Sequence, residues 1–216
     1  MVPRRWQVPL LCGPMARIKA TDTGTKVARR QVIAAAVIDV LAEQGLRGLT
    51  HRAVDAAVGF GSGAVNYHAP TRAHLVRLAL DELFARDGVV AATHFADLIS
   101  TPQIPMAVVV DRMSAFVQEM TAPPARQRVV ARHMLLAEAQ VDPQIRAEFD
   151  AHRGAFVEFA ANIVTAMDHD YPAITAEVVV IMIEGLIQRQ VLIGATPLAD
   201  SLHPIIAGLL RSWTIE

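Results

Sequence analysis

Three glycines within five residues, Gly59, Gly61 and Gly63, break a chain whose apolar residues otherwise recur at helical spacing. The stretch GFGSGAVNYHAP (59–70) ends at Pro70, which disfavours helical geometry at Ala69. Upstream, Thr50 is an N-cap for a short helix over His51–Val58, and Gly59 stops it. The spacing therefore predicts two short helices around a tight corner, the second over Ser62–His68. Thr71 then caps a longer helix with Leu75, Leu78, Leu83 and Phe84 inward, ending or kinking at Gly88.

Three chemistries call for such a corner. A phosphate-cradling loop needs G-x-G-x-x-G or G-x-x-x-x-G-K-[ST] after a buried strand. Here Ala64 stands where the last glycine belongs, no lysine is near, and a helix lies upstream. A nucleophile elbow needs G-x-S-x-G, but Phe60 and Ala64 flank Ser62 at the two glycine positions. A helix-turn-helix fits: Val54, Val58, Phe60 and Val65 can point inward, leaving Ser62, Ala64, Asn66, Tyr67 and His68 on the outer face. Glycines at 61 and 63 let the helix start approach a phosphate, where free N–H groups favour anions. Arg72 sits in the first turn of its helix, where the macrodipole disfavours a cation, so a phosphate opposite would explain it.

The rest of the chain agrees with an all-α fold of about nine helices. Val32/Ile33, Ala36/Val37 and Val40/Leu41 line one face of the first helix, which Gly45 ends. Beyond residue 100, Pro102/Pro105, Pro123-Pro124, Pro143, Pro172 and Pro197/Pro204 open successive helices. Ala173–Ile193 is apolar on nearly every side and must be buried within a subunit or against another copy. Its polar interruptions, Glu184, Gln188, Arg189 and Gln190, exclude a bilayer span. The expected organisation is a flexible basic tail over 1–22, a three-helix reading head over 23–85, and a helical bundle over 86–216.

Charge divides in the same way. Residues 1–95 carry 12 Lys/Arg and 7 Asp/Glu, while residues 96–216 carry 8 and 14, within a net charge of −1. A basic front and an acidic rear place any nucleic-acid surface on the first part. Arg4, Arg5, Arg17, Lys19, Lys26, Arg29 and Arg30 either track DNA or solubilise a tail and a helix surface. One cysteine, Cys12, forms neither an internal disulfide nor a thiolate cluster, consistent with a reducing, cytoplasmic setting. The opening apolar run, VPLLCG, is too short and proline-broken for a signal peptide.

The run RRQVIAAAVIDVLAEQGLRGLTHRAVDAAVGFGSGAVNYHAPTRAHLV (Arg29–Val76) resembles the DNA-binding domain of the TetR (tetracycline-repressor) family of bacterial regulators. Ile33, Ala36, Gly45-Leu46, Leu49-Thr50, Val54, Gly59, Gly63, Val65, Tyr67-His68 and Leu75 carry the resemblance in register. Three positions depart from it. Asp55 replaces a small residue and needs a partner, for which Arg52 or Arg72 stand nearby; Ala69 replaces an aromatic anchor; Gly61 replaces a capping serine.

The resemblance implies a homodimeric repressor on a palindromic operator, released by a small effector. DNA would be touched by Thr50, His51, Arg52, Ser62, Gly63, Ala64, Asn66, Tyr67, His68, Thr71 and Arg72. Tyr67 and Arg72 would meet phosphate, and Asn66 could read adenine. The last two helices, near Ala173–Ile193 and Leu198–Glu216, would pair with their copies. An effector, apolar or amphipathic, would meet some of Met113, Phe116, Met120, His133, Met134, Glu138, Phe149, His152, Phe156, Glu184 and Gln188. The sequence supports no metal site and no cofactor, since His133 and His152 lack ligand spacing. An enzyme using His133, Glu138 and His152 lacks any ordering of nucleophile, base and orienter. A helix-turn-helix serving only protein contacts is the other alternative.

Overall fold

The computed structural model describes residues 23–61, 63–101, 103–168, 171–194 and 199–211. The described residues form nine α-helices and no strand: α1 (Thr23–Gly48), α2 (His51–Val58), α3 (Ala64–His68), α4 (Arg72–Phe95), α5 (Met106–Thr121), α6 (Ala125–Ala139), α7 (Pro143–Ala166), α8 (Pro172–Leu192) and α9 (Ala199–Arg211). A 3-10 turn over Leu98–Ser100 leads from α4 towards α5. The basic tail expected over 1–22 lies outside the described residues, as do Ser62, Pro102, Pro197 and Leu198.

Buried apolar residues gather in two clusters. The first joins Ile33, Val37 and Leu41 of α1 with Val54, Val65, Leu75, Leu80 and Leu83, and it takes in Leu135 of α6 and Phe149 of α7. The second joins Val110, Met113 and Met120 of α5 with Ile187 of α8 and Ile206 of α9. Helix α4 runs from one to the other, with Phe84 in the first and Ala91 in the second. Helices α1 to α4 thus share their apolar cluster with α6 and α7.

Several local expectations need correction. Gly45 does break the regular helix in the left-handed region, as expected (φ 65°, ψ −174°), but a second short helical piece follows it to Gly48. Only Ile33 of the pair Val32/Ile33 faces inward, Val32 being exposed. Gly88 does not end α4: Phe84, Asp87 and Ala91 around it are all buried. That packing outweighs the ~1 kcal/mol helix penalty of a glycine. Pro204 lies inside α9 instead of opening it. The helix continues because Leu202, Ile206 and Leu210 bury its apolar face, which offsets the one hydrogen bond a proline removes.

Candidate nucleic-acid interface and effector cavity

The corner between α2 and α3 is built as its sequence demands. Thr50 accepts from the Ala53 amide (3.1 Å) and caps α2. Gly59 closes α2 in the left-handed region (φ 67°), and Gly63 opens α3 there too (φ 88°). A five-residue helix has no stability of its own. Val54 and Val65, both fully buried, tie its inner side to α2.

Asp55 supplies the remaining restraint. Its carboxylate accepts from the Gly63 amide (2.9 Å) and the Val65 amide (3.0 Å), capping α3 from the neighbouring helix. Those two hydrogen bonds hold its pKa below the ordinary carboxylate value. Two sequence expectations change. The partner of Asp55 is backbone, not Arg52 or Arg72. The amides at the start of α3 are already engaged, and a carboxylate lies against them, so they offer no phosphate seat.

The face that remains open presents Arg52, Gly63, Asn66 and Tyr67, all exposed, with Ala64 partly so. Tyr67 is 79% exposed, which removes the packing explanation for its presence. Its ring meets His68 edge-on (5.1 Å between centroids). His68 is half-buried, between the open face and the core. Ala69 is fully buried, so the missing aromatic anchor leaves a small residue inside the core. Phe60, expected inward, is instead 42% exposed: it follows the left-handed Gly59 and leaves the helix axis. Ser62 lies outside the described residues.

His51 and Arg72 are held by the protein itself. Nε2–H of His51 donates to the Ala69 carbonyl (2.6 Å), stitching α2 to the end of α3. Thr71 accepts from the His74 amide and caps α4. Arg72 donates to Glu138 of α6 (2.7 Å) and to the Leu46 carbonyl (3.2 Å). Its odd position in the first turn of α4 is therefore answered by a carboxylate 66 residues away, without a phosphate.

A second concavity lies in the rear bundle. It is a cavity of about 140 Å³ bounded by α4, α5, α7 and α8, with Arg132 of α6 and Leu210 of α9 also in its wall. Met113, Phe116, Met120, Phe156 and Glu184, expected from sequence, line it. An outer groove of about 340 Å³ shares Arg132, Arg153 and Glu184 with it and adds His133, Phe149 and Gln188. Met134 and His152 line neither. His152 stacks on Phe84 (4.7 Å, 8° between planes) and pairs with Asp81 (3.4 Å). Glu138 serves Arg72, so His133, Glu138 and His152 form no catalytic set.

Apart from Glu184, the sequence reading missed the charged residues in and around the cavity. Asp87 accepts from Arg128 Nε (2.7 Å) and Arg132 Nη1 (3.3 Å). Arg153 pairs with Glu177 (2.8 Å) and Glu184 (3.5 Å). Burial alone would lower the Arg153 pKa, and the two carboxylates more than reverse that. Arginines within apolar helical patterns were the available signal. Among the described residues no group of three or more His, Cys, Asp or Glu is placed to hold a metal ion. No helix there is long and apolar enough to cross a membrane.

Residues 105–212 match the family described as tetracyclin repressor-like, C-terminal domain. No curated protein matches the sequence. Solved structures share the fold over most of their length. A member of the TetR family from Streptomyces coelicolor A3 is 23% identical, with a TM-score of 0.66 over 84% of this chain and 97% of that one. A transcriptional regulator from Rhodococcus sp. Rha1 is 18% identical, with a TM-score of 0.67 over 87% and 98%. The multidrug binding protein EbrR, solved with imidazole, is 21% identical, with a TM-score of 0.65 over 87% and 96%. With a helix-turn-helix in front and the matching domain over half the chain behind it, this protein belongs to the TetR family of ligand-responsive, DNA-binding transcriptional regulators.

Proposed function

We propose that the chain acts in the cytoplasm as a homodimeric repressor that binds a palindromic operator and is released by a small amphipathic effector. It works by binding and does no chemistry. One observation carries this reading: α4 begins with Thr71 and Arg72 beside the reading face and lines the cavity with Phe84, Asp87, Ala91 and Phe95. A ligand that shifts the far half of α4 moves the reading head with it. The head over 23–85 makes the DNA contacts, with Tyr67 on phosphate and Asn66 at base edges. Moving a dimer from 99:1 competent to 1:99 needs about 5.5 kcal/mol of differential effector affinity. EbrR, a multidrug binding protein complexed with imidazole in one structure and malachite green in another, supports the binding of a small organic effector.

Dimerisation follows from the same geometry, since one short reading helix grips half a site. Helix α8 leaves Ile174, Val178 and Ile181 exposed at helical spacing, and Leu209 of α9 is exposed as well. We assign that stripe to the partner copy.

Selection from a random duplex library tests the function. The expected result is a palindrome whose binding weakens in Tyr67→Phe and steeply with salt. No enrichment at low salt, from a folded dimer, would overturn it.

A further inference from the structure

The charges around the cavity are paired unequally. One carboxylate, Asp87, faces two guanidiniums, Arg128 and Arg132. All three are withdrawn from water, at 2%, 8% and 14% side-chain exposure. Arg128 Nη2 is buried and has no hydrogen-bond partner among the described residues. The opposite imbalance, one Arg153 against Glu177 and Glu184, lies at 44% and 34% exposure of the two carboxylates. Water screens that surplus negative charge far more than the buried surplus positive charge. The uncompensated charge felt inside the bundle is therefore positive. Arg132 lines both the cavity and the outer groove, as do Arg153 and Glu184.

The remainder of the wall is apolar and aromatic, with Phe95, Met106, Met113, Phe116, Phe159 and Ile163. Thioethers and ring edges adapt to an inserted aromatic or alkyl group. At about 140 Å³ the cavity has the size of one that holds a single benzene ring (~150 Å³).

We propose that the effector is a small apolar monocarboxylate, its ring or short chain in the cavity and its carboxylate on Arg132. The inference rests on the effector role proposed above and adds the charge and size of the ligand. A carboxylate at Arg132 restores neutrality to the Asp87–Arg128–Arg132 cluster and makes a charge-assisted, bidentate contact. An ammonium head in the same place would meet a surplus of like charge.

The test is titration calorimetry on the full chain with three isosteric probes: phenylacetate, phenylacetamide and 2-phenylethylammonium. Phenylacetate is expected to bind at least about tenfold more tightly than the amide, with the ammonium weakest. Arg132→Gln should erase the preference for carboxylate over amide and keep the amide affinity. Equal affinity for amide and carboxylate, preference for the ammonium, no binding of any probe, or a preference that survives Arg132→Gln overturns the proposal. Should Arg132→Gln fail to fold, the ranking of the three probes on the unaltered protein decides alone. Operator release is read separately by fluorescence anisotropy. Phenylacetate binding without release defeats the effector role and leaves the ligand chemistry standing; release by a neutral or cationic compound in place of carboxylates does the reverse.

Discussion

A carboxylate that accepts two backbone N–H groups is held ionised, and Asp55 does so across the corner from α2 to α3. Because its pKa is lowered on folding, its contribution is complete above the unfolded value of about 3.9 and is lost as pH falls through the native value. Asp55→Asn should therefore lower the thermal midpoint at pH 7, and the gap to the unaltered protein should narrow below about pH 4. A gap of constant size from pH 7 to pH 3 would show that Asp55 acts by packing. Tyr67 is the converse case. With 79% of its surface exposed, Tyr67→Phe should leave stability within about 0.5 kcal/mol and weaken operator binding by about tenfold, by loss of a hydrogen bond to phosphate. The family resemblance singled out Asp55 as a departure, and the helical spacing put Tyr67 on the outer face. The sequence could not name the partner of Asp55, because the bonds close across a turn to residues 8 and 10 positions on.

Helices were legible because their signals are local: Thr50, Thr71 and Asp142 cap as such residues do, and Pro143 and Pro172 occupy first turns. What joins one helix to another was not, since it depends on side chains far apart in sequence. Helix α4 is tied to α6 and α7 by Arg72–Glu138, Arg77–Glu148 and His152–Asp81, and by Asp87 with Arg128 and Arg132. Gly88 reads as a stop until that docking is seen, and the sequence did not show that Glu138 gives Arg72 a partner within the protein. The element-scale expectation is that Arg72 belongs to this seam. A double-mutant cycle of Arg72→Ala and Glu138→Ala, read by unfolding, should give a coupling of about 0.2–1 kcal/mol, as for a partly exposed pair. In operator binding, Arg72→Ala should leave the slope of log K against log salt unchanged. Arg52→Ala, on the open face, should reduce it by about 0.9. A slope that falls with Arg72→Ala would return Arg72 to the DNA.

At the scale of the whole molecule, exposed apolar surface separates meaningful from incidental. Val141, at 78%, stands alone after α6, and a single exposed valine needs no partner. Ile174, Val178 and Ile181 form a line along α8, which is apolar through its interior face as well, where Ala176, Ile183 and Ile187 meet the core. The run Ala173–Ile193 calls for burial within the subunit or against another copy, and in the dimer proposed above a second copy covers the outer face of α8. Ile181→Glu should therefore act on assembly and not on folding. In a two-fold interface each copy meets the other's glutamate, so the change brings two unpaired carboxylates into one apolar patch. Sedimentation should show the dimer dissociation constant rising by at least about 100-fold, with the helical signal unchanged. Operator binding should fall with it, since a monomer holds one half-site, and should recover as protein concentration is raised. Val141→Glu should change neither. A dimer that survives Ile181→Glu would place the partner elsewhere and leave the α8 stripe without an occupant.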